Sequence, residues 1–171
     1  MAIKSTQKLA LLPQTITSRN KGIDLDLDWI SSIQANTSAI ERRASSIASR
    51  RSVKKHHQAA WLLQAVKCID LTTLSGDDTV GRVKRLCAKA KNPISIKILE
   101  NLDLDNITVG AVCVYHDMIE TAVSQLKGTG IPVAAVSTGF PAGLSPLPLR
   151  IAEIEYSVSA GASEIDIVIS R

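Results

Sequence analysis

The stretch Cys68-Ile69-Asp70-Leu71-Thr72-Thr73-Leu74-Ser75-Gly76-Asp77-Asp78-Thr79 sets an acid and two hydroxyls at the end of a short apolar run, then supplies the start of a helix. Asp77, Asp78 and Thr79 offer capping side chains and negative charge, both favourable at a helix N-terminus. A strand that ends in polar groups and turns directly into a helix is the repeating unit of parallel α/β folds. Such folds collect their reacting groups at the carboxyl ends of the strands.

The same rhythm runs on from residue 66 to the end. Apolar runs too short for helices, at about 66–73, 108–115, 132–138 and 164–170, alternate with amphipathic segments of about three turns. That alternation predicts βαβ units and a parallel sheet. Val80, Val83, Leu86, Cys87 and Ala90 mark one helix stripe, Ile119, Ala122, Val123 and Leu126 a second, and Ile151, Ile154 and Val158 a third. Each stripe recurs at three- and four-residue spacing, so each is expected to bury against the sheet. Gly128 and Gly161 sit where helices should stop, and Pro148 suits a first helical turn, where its missing N–H costs nothing. Residues 92–107 form the least regular connection, with a short helix expected at Ile94 to Glu100. Two architectures fit this pattern: four βα units of an eight-stranded barrel, which takes ~250 residues when complete, or an open doubly wound sheet.

Upstream, Leu25, Leu27, Trp29, Ile30 and Ile33 open an amphipathic region that runs through Ile40, Ala44, Ile47 and Val53 to Leu63, read as one or two helices. The resulting division is a loose tail over 1–22, a helical extension over 23–65 and a βα region over 66–171. The chain carries 20 basic and 16 acidic residues, and the excess gathers in Arg42, Arg43, Arg50, Arg51, Lys54 and Lys55, which reads as a solvated helix face. Residues 1–22 lack acids and have a weak transit-peptide character that Pro13 interrupts. Two Trp, two Tyr and one Phe are too few for a base-stacking platform, which argues against nucleic acid. No run approaches the ~20 apolar residues of a membrane span. Cys68, Cys87 and Cys113 form no CxxC pair and read as reduced thiols of a cytoplasmic protein.

Together with Val112-Cys113-Val114-Tyr115, Ser137-Thr138-Gly139-Phe140-Pro141-Ala142-Gly143 and Glu164-Ile165-Asp166-Ile167-Val168-Ile169, the opening stretch resembles deoxyribose-phosphate aldolases, in the subgroup with a long N-terminal extension. The resemblance covers roughly residues 20–171 and implies the first half of a (β/α)8 barrel. It also implies a reaction: reversible cleavage of 2-deoxyribose 5-phosphate to glyceraldehyde 3-phosphate and acetaldehyde, through a lysine Schiff base and with no metal or other cofactor. By the same resemblance, Asp166 matches the aspartate that organises proton transfer around the Schiff base. Asp70 and Thr72 match the acid and hydroxyl that contact substrate, and Cys113 matches a thiol lining the pocket beside the reacting carbonyl. From residue chemistry alone, Asp70 could equally cap the following segment and Cys113 could be a small buried hydrophobe. Asp166 is harder to set aside, because a carboxylate in an apolar run is costly without a partner.

A Schiff-base lysine must point from the upper part of a strand into the pocket. Lys67 falls at the wrong end of the first strand, and Lys84, Lys89, Lys91, Lys97 and Lys127 fall on helices or connections. The family's lysine motifs belong to later strands with no counterpart here, so the chain is expected to be inactive alone. His116 stands where the family has proline and reads as a surface residue. The Thr138–Gly143 segment is neither a Walker A nor a GxGxxG loop and reads as a shaped loop at the pocket mouth. Two further readings remain: a non-catalytic module pairing through its half-barrel edges with itself or with an intact aldolase, and a small phosphosugar-binding α/β domain.

Overall fold

The computed structural model describes residues 24–50 and 52–170. The segment 1–22, expected to be a loose tail, lies outside the described residues, as do 23, 51 and 171. The chain divides into two compact units, one up to Arg51 and one from Ser52.

The first unit holds α1 (Leu27–Ser32) and α2 (Thr37–Ile47). The second begins with α3 (Lys55–Val66), so the amphipathic region is broken into three helices rather than one or two. Side chains cap the first two helices. An Asp26 carboxylate oxygen accepts the Trp29 N–H at 2.8 Å, and the Asn36 amide oxygen accepts the Ala39 N–H at 3.0 Å, so Asn36 starts α2 anew instead of prolonging α1. Lys54, before α3, makes no such cap. None of these helices buries a residue, and Arg42, Arg43 and Arg50 are exposed along α2.

In the second unit, β1 (Asp70–Thr72), α4 (Val80–Lys91), α5 (Ile96–Asn101), β2 (Ala111–Val114), a 3₁₀ turn (His116–Met118), α6 (Ile119–Leu126), β3 (Val133–Ser137), α7 (Leu147–Ser159) and β4 (Glu164–Ile167) follow in order. The four strands form one parallel sheet in the order β1-β2-β3-β4. Strands begin later than the apolar runs suggest, because Cys68 and Ile69 donate back to Ala65 and Val66 and finish the turn after α3. Gly110 lets the start of β2 come close to this turn. A Cβ there would lie 2.9 Å from the Lys67 carbonyl oxygen, while its N–H donates to Ile69 at 2.9 Å.

Helix packing separates the two candidate architectures. Val83, Cys87 and Ala90 of α4 and Ile119, Ala122 and Leu126 of α6 share one buried cluster with Val112, Val114, Val133 and Ala135. These strand residues alternate with Cys113, Ala134 and Val136, which cluster on the opposite face with Leu74, Tyr115 and Val168 and no helical residue. Sequential strand order with the packed helices on one face is the winding of a barrel; a doubly wound sheet reverses its strand order and carries helices on both faces. The second unit is therefore a half barrel of four parallel strands, three of them followed by helices. Among the described residues, no helix is long and apolar enough to cross a membrane.

The stripes hold only in part, since Val80, expected to bury with α4, is exposed. The third stripe does not bury on the sheet: Ile151 and Val158 of α7 are exposed, Ile154 is half-buried, and Ser157 is the buried residue of this helix. A barrel helix packs into the groove between its own strand pair and the next unit. α4 and α6 pack against each other as well as on the strands, whereas no helix follows β4 among the described residues to pack against α7.

Backbone pairing of β3 with β4 ends at Ser137–Ile167, short of the expected 164–170, and a side chain takes over. Thr138 adopts a left-handed backbone, φ 62°, and its hydroxyl both accepts from the Val168 N–H and donates to the Val168 carbonyl, each at 2.7 Å. Substituting Thr138→Val leaves both groups unmet in a buried setting, at a cost of about 1–3 kcal/mol. The expected outcome is a lower melting temperature with faster hydrogen exchange at the Val168 amide, measured against the wild-type chain; unchanged exchange there would show that the hydroxyl does not staple β4.

Candidate active site

The four residues singled out in the sequence converge on the helix-free face of the sheet. Register pairs Thr72 with Cys113 and Cys113 with Ala134, while Asp166 pairs with Val136, two residues further along the same face. Asp70 lies two residues before Thr72, and alternation along a strand keeps it on that face. Cys113 is buried at the centre, whereas Asp70, Thr72 and Asp166 are exposed around it. Asp166 thus avoids the cost expected of a carboxylate in an apolar run because this face is open to water.

Electrostatics tie the group together. Burial foremost, and then the Asp166 and Asp70 carboxylates, together push the Cys113 thiol up to about 11, although hydrogen bonds with the Thr72 side chain and the Val136 backbone partly oppose them. A thiol in such surroundings stays protonated at neutral pH and is a poor nucleophile. The Thr72 hydroxyl donates to the Asp70 carbonyl at 2.8 Å, which orients it on its own strand.

After β1 the chain is held by an acid–arginine knot. Thr79 caps α4 through the Arg82 N–H. The Arg82 guanidinium reaches Asp77 at 2.9 Å and Asp78 at 3.1 Å, and the Asp78 carboxylate accepts from the Thr73 hydroxyl at 2.9 Å and the Ser75 N–H at 3.1 Å. Hydrogen bonds from Arg82 and Ser75 hold the Asp77 carboxyl down at about 2. Burial opposes ionisation of Asp78, but Thr73, Arg82 and Ser75 outweigh it and keep this carboxyl below its ordinary value. Both acids are therefore ionised at neutral pH and committed to shaping the loop.

The loop after β3 is also spoken for. The Gly139 N–H donates to the Glu153 carboxylate on α7 at 2.8 Å, so this amide already has an anion as its partner. The Gly143 N–H closes the loop onto the Gly139 carbonyl at 2.8 Å. Gly143 has φ 69°, and a Cβ there would lie 3.1 Å from the Ile169 backbone, so the position suits glycine alone.

His116, expected at the surface, is half-buried and networked. Its Nδ1 lies 2.8 Å from the Ser157 hydroxyl, and its Nε2 lies 3.8 Å from the other Glu153 carboxylate oxygen. Ser157 donates to the Glu153 carbonyl at 2.9 Å, so it is placed to accept from His116. Glu153 and Ser157 thereby hold the loops after β2 and β3 against α7. Sequence reading missed both; their four-residue spacing on one helix face was the available signal.

Among the described residues, none of the four strands carries a lysine. Lys84, Lys89 and Lys91 lie on α4, Lys97 on α5, Lys67 follows α3 and Lys127 follows α6. Lys91 donates to the Gln125 carbonyl at 3.3 Å, on the helical side of the sheet.

Sequential parallel strands with the packed helices on one face define the chain as part of a (β/α)8-type fold. Comparison with known proteins makes the family specific. The chain is 56% identical over 155 residues to the deoxyribose-phosphate aldolase of Mus musculus, covering 88% of this chain and 49% of that protein. It is 53% identical over 160 residues to the Homo sapiens deoxyribose-phosphate aldolase, covering 91% and 50% respectively. A crystal structure of a Coccidioides immitis protein assigned as a deoxyribose-phosphate aldolase superposes with a TM-score of 0.52 at 25% identity, over 81% of this chain and 49% of that one. No family model matches. The chain is a relative of the deoxyribose-phosphate aldolases and spans about half the length of the curated relatives it matches.

Cysteine chemistry gives a direct check of the inner face. Exposed Cys68 is expected to react with iodoacetamide at pH 8 in the native chain, while Cys113 and Cys87 react only on unfolding, Cys87 because burial raises its thiol despite nearby Lys91. Peptide mapping by mass spectrometry reads the sites; native labelling of Cys113 would contradict its burial.

Proposed function

We propose that this chain carries one side of a deoxyribose-phosphate aldolase pocket and does not turn over alone. The reaction is reversible cleavage of 2-deoxy-D-ribose 5-phosphate to glyceraldehyde 3-phosphate and acetaldehyde, in the cytoplasm, with a small phosphorylated sugar as the ligand. The convergence of Asp70, Thr72, Cys113 and Asp166 on one open sheet face carries this reading. In it, Asp70 and Thr72 meet the polar side of the sugar, and Cys113 packs as a neutral thiol beside the reacting carbonyl. Asp166 steadies the cationic amine and a water through proton transfer, a role suited to a carboxylate beside a protonated amine.

The amine itself has no counterpart here. A Schiff-base lysine needs a strand position facing the pocket, and the lysines described lie on helices or connections. Turnover therefore requires strands that bring a lysine to this face. The open strand edges favour a second reading, in which the chain acts by association with itself or with an intact aldolase rather than by catalysis.

The test is borohydride trapping of the purified chain with 2-deoxyribose 5-phosphate, read by intact mass and peptide mapping, with the mouse relative as positive control. The expected result is labelling of the control and no adduct on this chain. A covalent adduct on one lysine of this chain would overturn the claim that it lacks a competent amine.

A further inference from the structure

We propose that Ser46 is a phosphorylation site for an arginine-directed protein kinase, and that Arg50 clasps the phosphate once it is in place. The proposal uses the basic stretch around α2, which the pocket reading leaves without a task, and it stands or falls independently of that reading.

α2 carries the run Glu41-Arg42-Arg43-Ala44-Ser45-Ser46-Ile47, and Arg50 follows in the turn after the helix. Residues four apart are neighbours on one helix face, so Arg42 stands one turn before Ser46. From the other side, the Arg50 guanidinium donates to the Ser46 hydroxyl twice, through Nε at 3.1 Å and Nη2 at 2.8 Å. A guanidinium fork is matched to two oxygens of an oxyanion, and here it closes on one neutral oxygen. The Ser46 hydroxyl directs its own proton to the Arg43 carbonyl at 2.8 Å. Arg42 and Ser46 also line one open surface recess together with Ser38, Glu41 and Ser45.

Two serines share the arginine pair, and the fold separates them. Arg42 and Arg43 stand four and three residues before Ser46, and three and two before Ser45. Charge patterns of this kind are what kinases read in a substrate. The Ser45 hydroxyl donates to the Glu41 carbonyl at 2.8 Å, so a phosphate on Ser45 would stand one turn from the Glu41 carboxylate, and like charges at that spacing repel. A phosphate on Ser46 stands one turn from Arg42 and directly against Arg50. The product is therefore better held at Ser46.

Ser46 is half-buried, but no residue of α2 is fully buried, so this segment has little packing to lose when it opens into a kinase groove. In the transfer, the Ser46 oxygen forms a bond to the γ-phosphorus of a nucleoside triphosphate and the bond from that phosphorus to the β-phosphate oxygen breaks. The hydroxyl proton passes to the base of the kinase as the nucleoside diphosphate leaves. Position 46 then goes from neutral to about −1.5 to −2 charges at pH 7. Two effects oppose the modified state: the anion lies in the last turn of a helix, where the dipole disfavours it, and the bond to the Arg43 carbonyl is lost. The Arg50 fork answers both, because it sits at the same helix end and gains charge-assisted bonds to the phosphate oxygens. An ionic clasp then pins the turn after α2 where a neutral one held it before.

The experiment incubates the 171-residue chain with magnesium ATP and the catalytic domain of calcium/calmodulin-dependent protein kinase as the arginine-directed probe. Peptide mapping by mass spectrometry locates the phosphate, and circular dichroism confirms that each variant is folded. Phosphate is expected on Ser46, with Arg43→Gln slowing its incorporation about tenfold and Arg50→Gln leaving the rate unchanged. In the modified chain, the phosphorus NMR resonance should titrate with a midpoint below the ~6 of an unrestrained phosphoserine, and Arg50→Gln should return it there. Absence of phosphate, phosphate on Ser45 or elsewhere but not on Ser46, incorporation indifferent to Arg43→Gln, or a midpoint unmoved by Arg50→Gln would overturn the proposal. Borohydride trapping in the pocket reads none of these outcomes, so the two readings fail separately.

Discussion

The parallel ladder between β2 and β3 is the constraint on which the rest depends. Its helical face is the one completed piece of barrel, where valines and alanines of the two strands pack against Val83, Cys87 and Ala90 of α4 and Ile119, Ala122 and Leu126 of α6. Burying a side chain of valine or isoleucine size contributes about 1.5–3 kcal/mol, so this cluster outweighs any single polar contact in the chain. It also fixes which residues face the other way. With Val112 and Val114 committed to the helices, Cys113 must point to the opposite face, where Thr72 and Asp166 join it through register. The candidate site is thus a by-product of the core.

Moving outward from that ladder, the structure becomes progressively less finished. Among the described residues, β1 and β4 each pair on one side only, and the apolar stripe of α7 stays exposed. Side chains do the holding there: Thr138 staples the end of β4, and Glu153, Ser157 and His116 clasp α7 to two loops. The acid–arginine knot of Asp77, Asp78 and Arg82 plays the same part after β1. Polar clasps of this kind contribute about 0.5–1.5 kcal/mol each. They hold geometry more than they add stability, which is what a substrate-facing rim requires.

Much of this was legible in the sequence. Helix stripes for α4 and α6 emerged from three- and four-residue spacing, because each of these helices has a completed groove to fill. The same spacing misled at Ile151, Ile154 and Val158, since periodicity reports which residues want burial and not whether a partner exists. Asp70, Thr72, Cys113 and Asp166 were singled out by the resemblance of their motifs to an aldolase family, and strand alternation together with the parallel register puts them on one face. Glu153 and Ser157 left only their four-residue spacing on one helix face, and their link to His116 joins positions about forty residues apart, beyond any local pattern. The choice between barrel and doubly wound sheet needed the three-dimensional fact that the packed helices share one face.

The most direct test of a half barrel built around one completed ladder is native-state hydrogen exchange, read by mass spectrometry at low micromolar concentration. Amides of 111–114 and 133–137 should exchange most slowly, with those of α7 and β4 markedly faster. Equal protection of β4, α7 and the central strands in a monomeric sample would contradict an unfinished edge, and absence of protection in β2 and β3 would contradict the completed core itself.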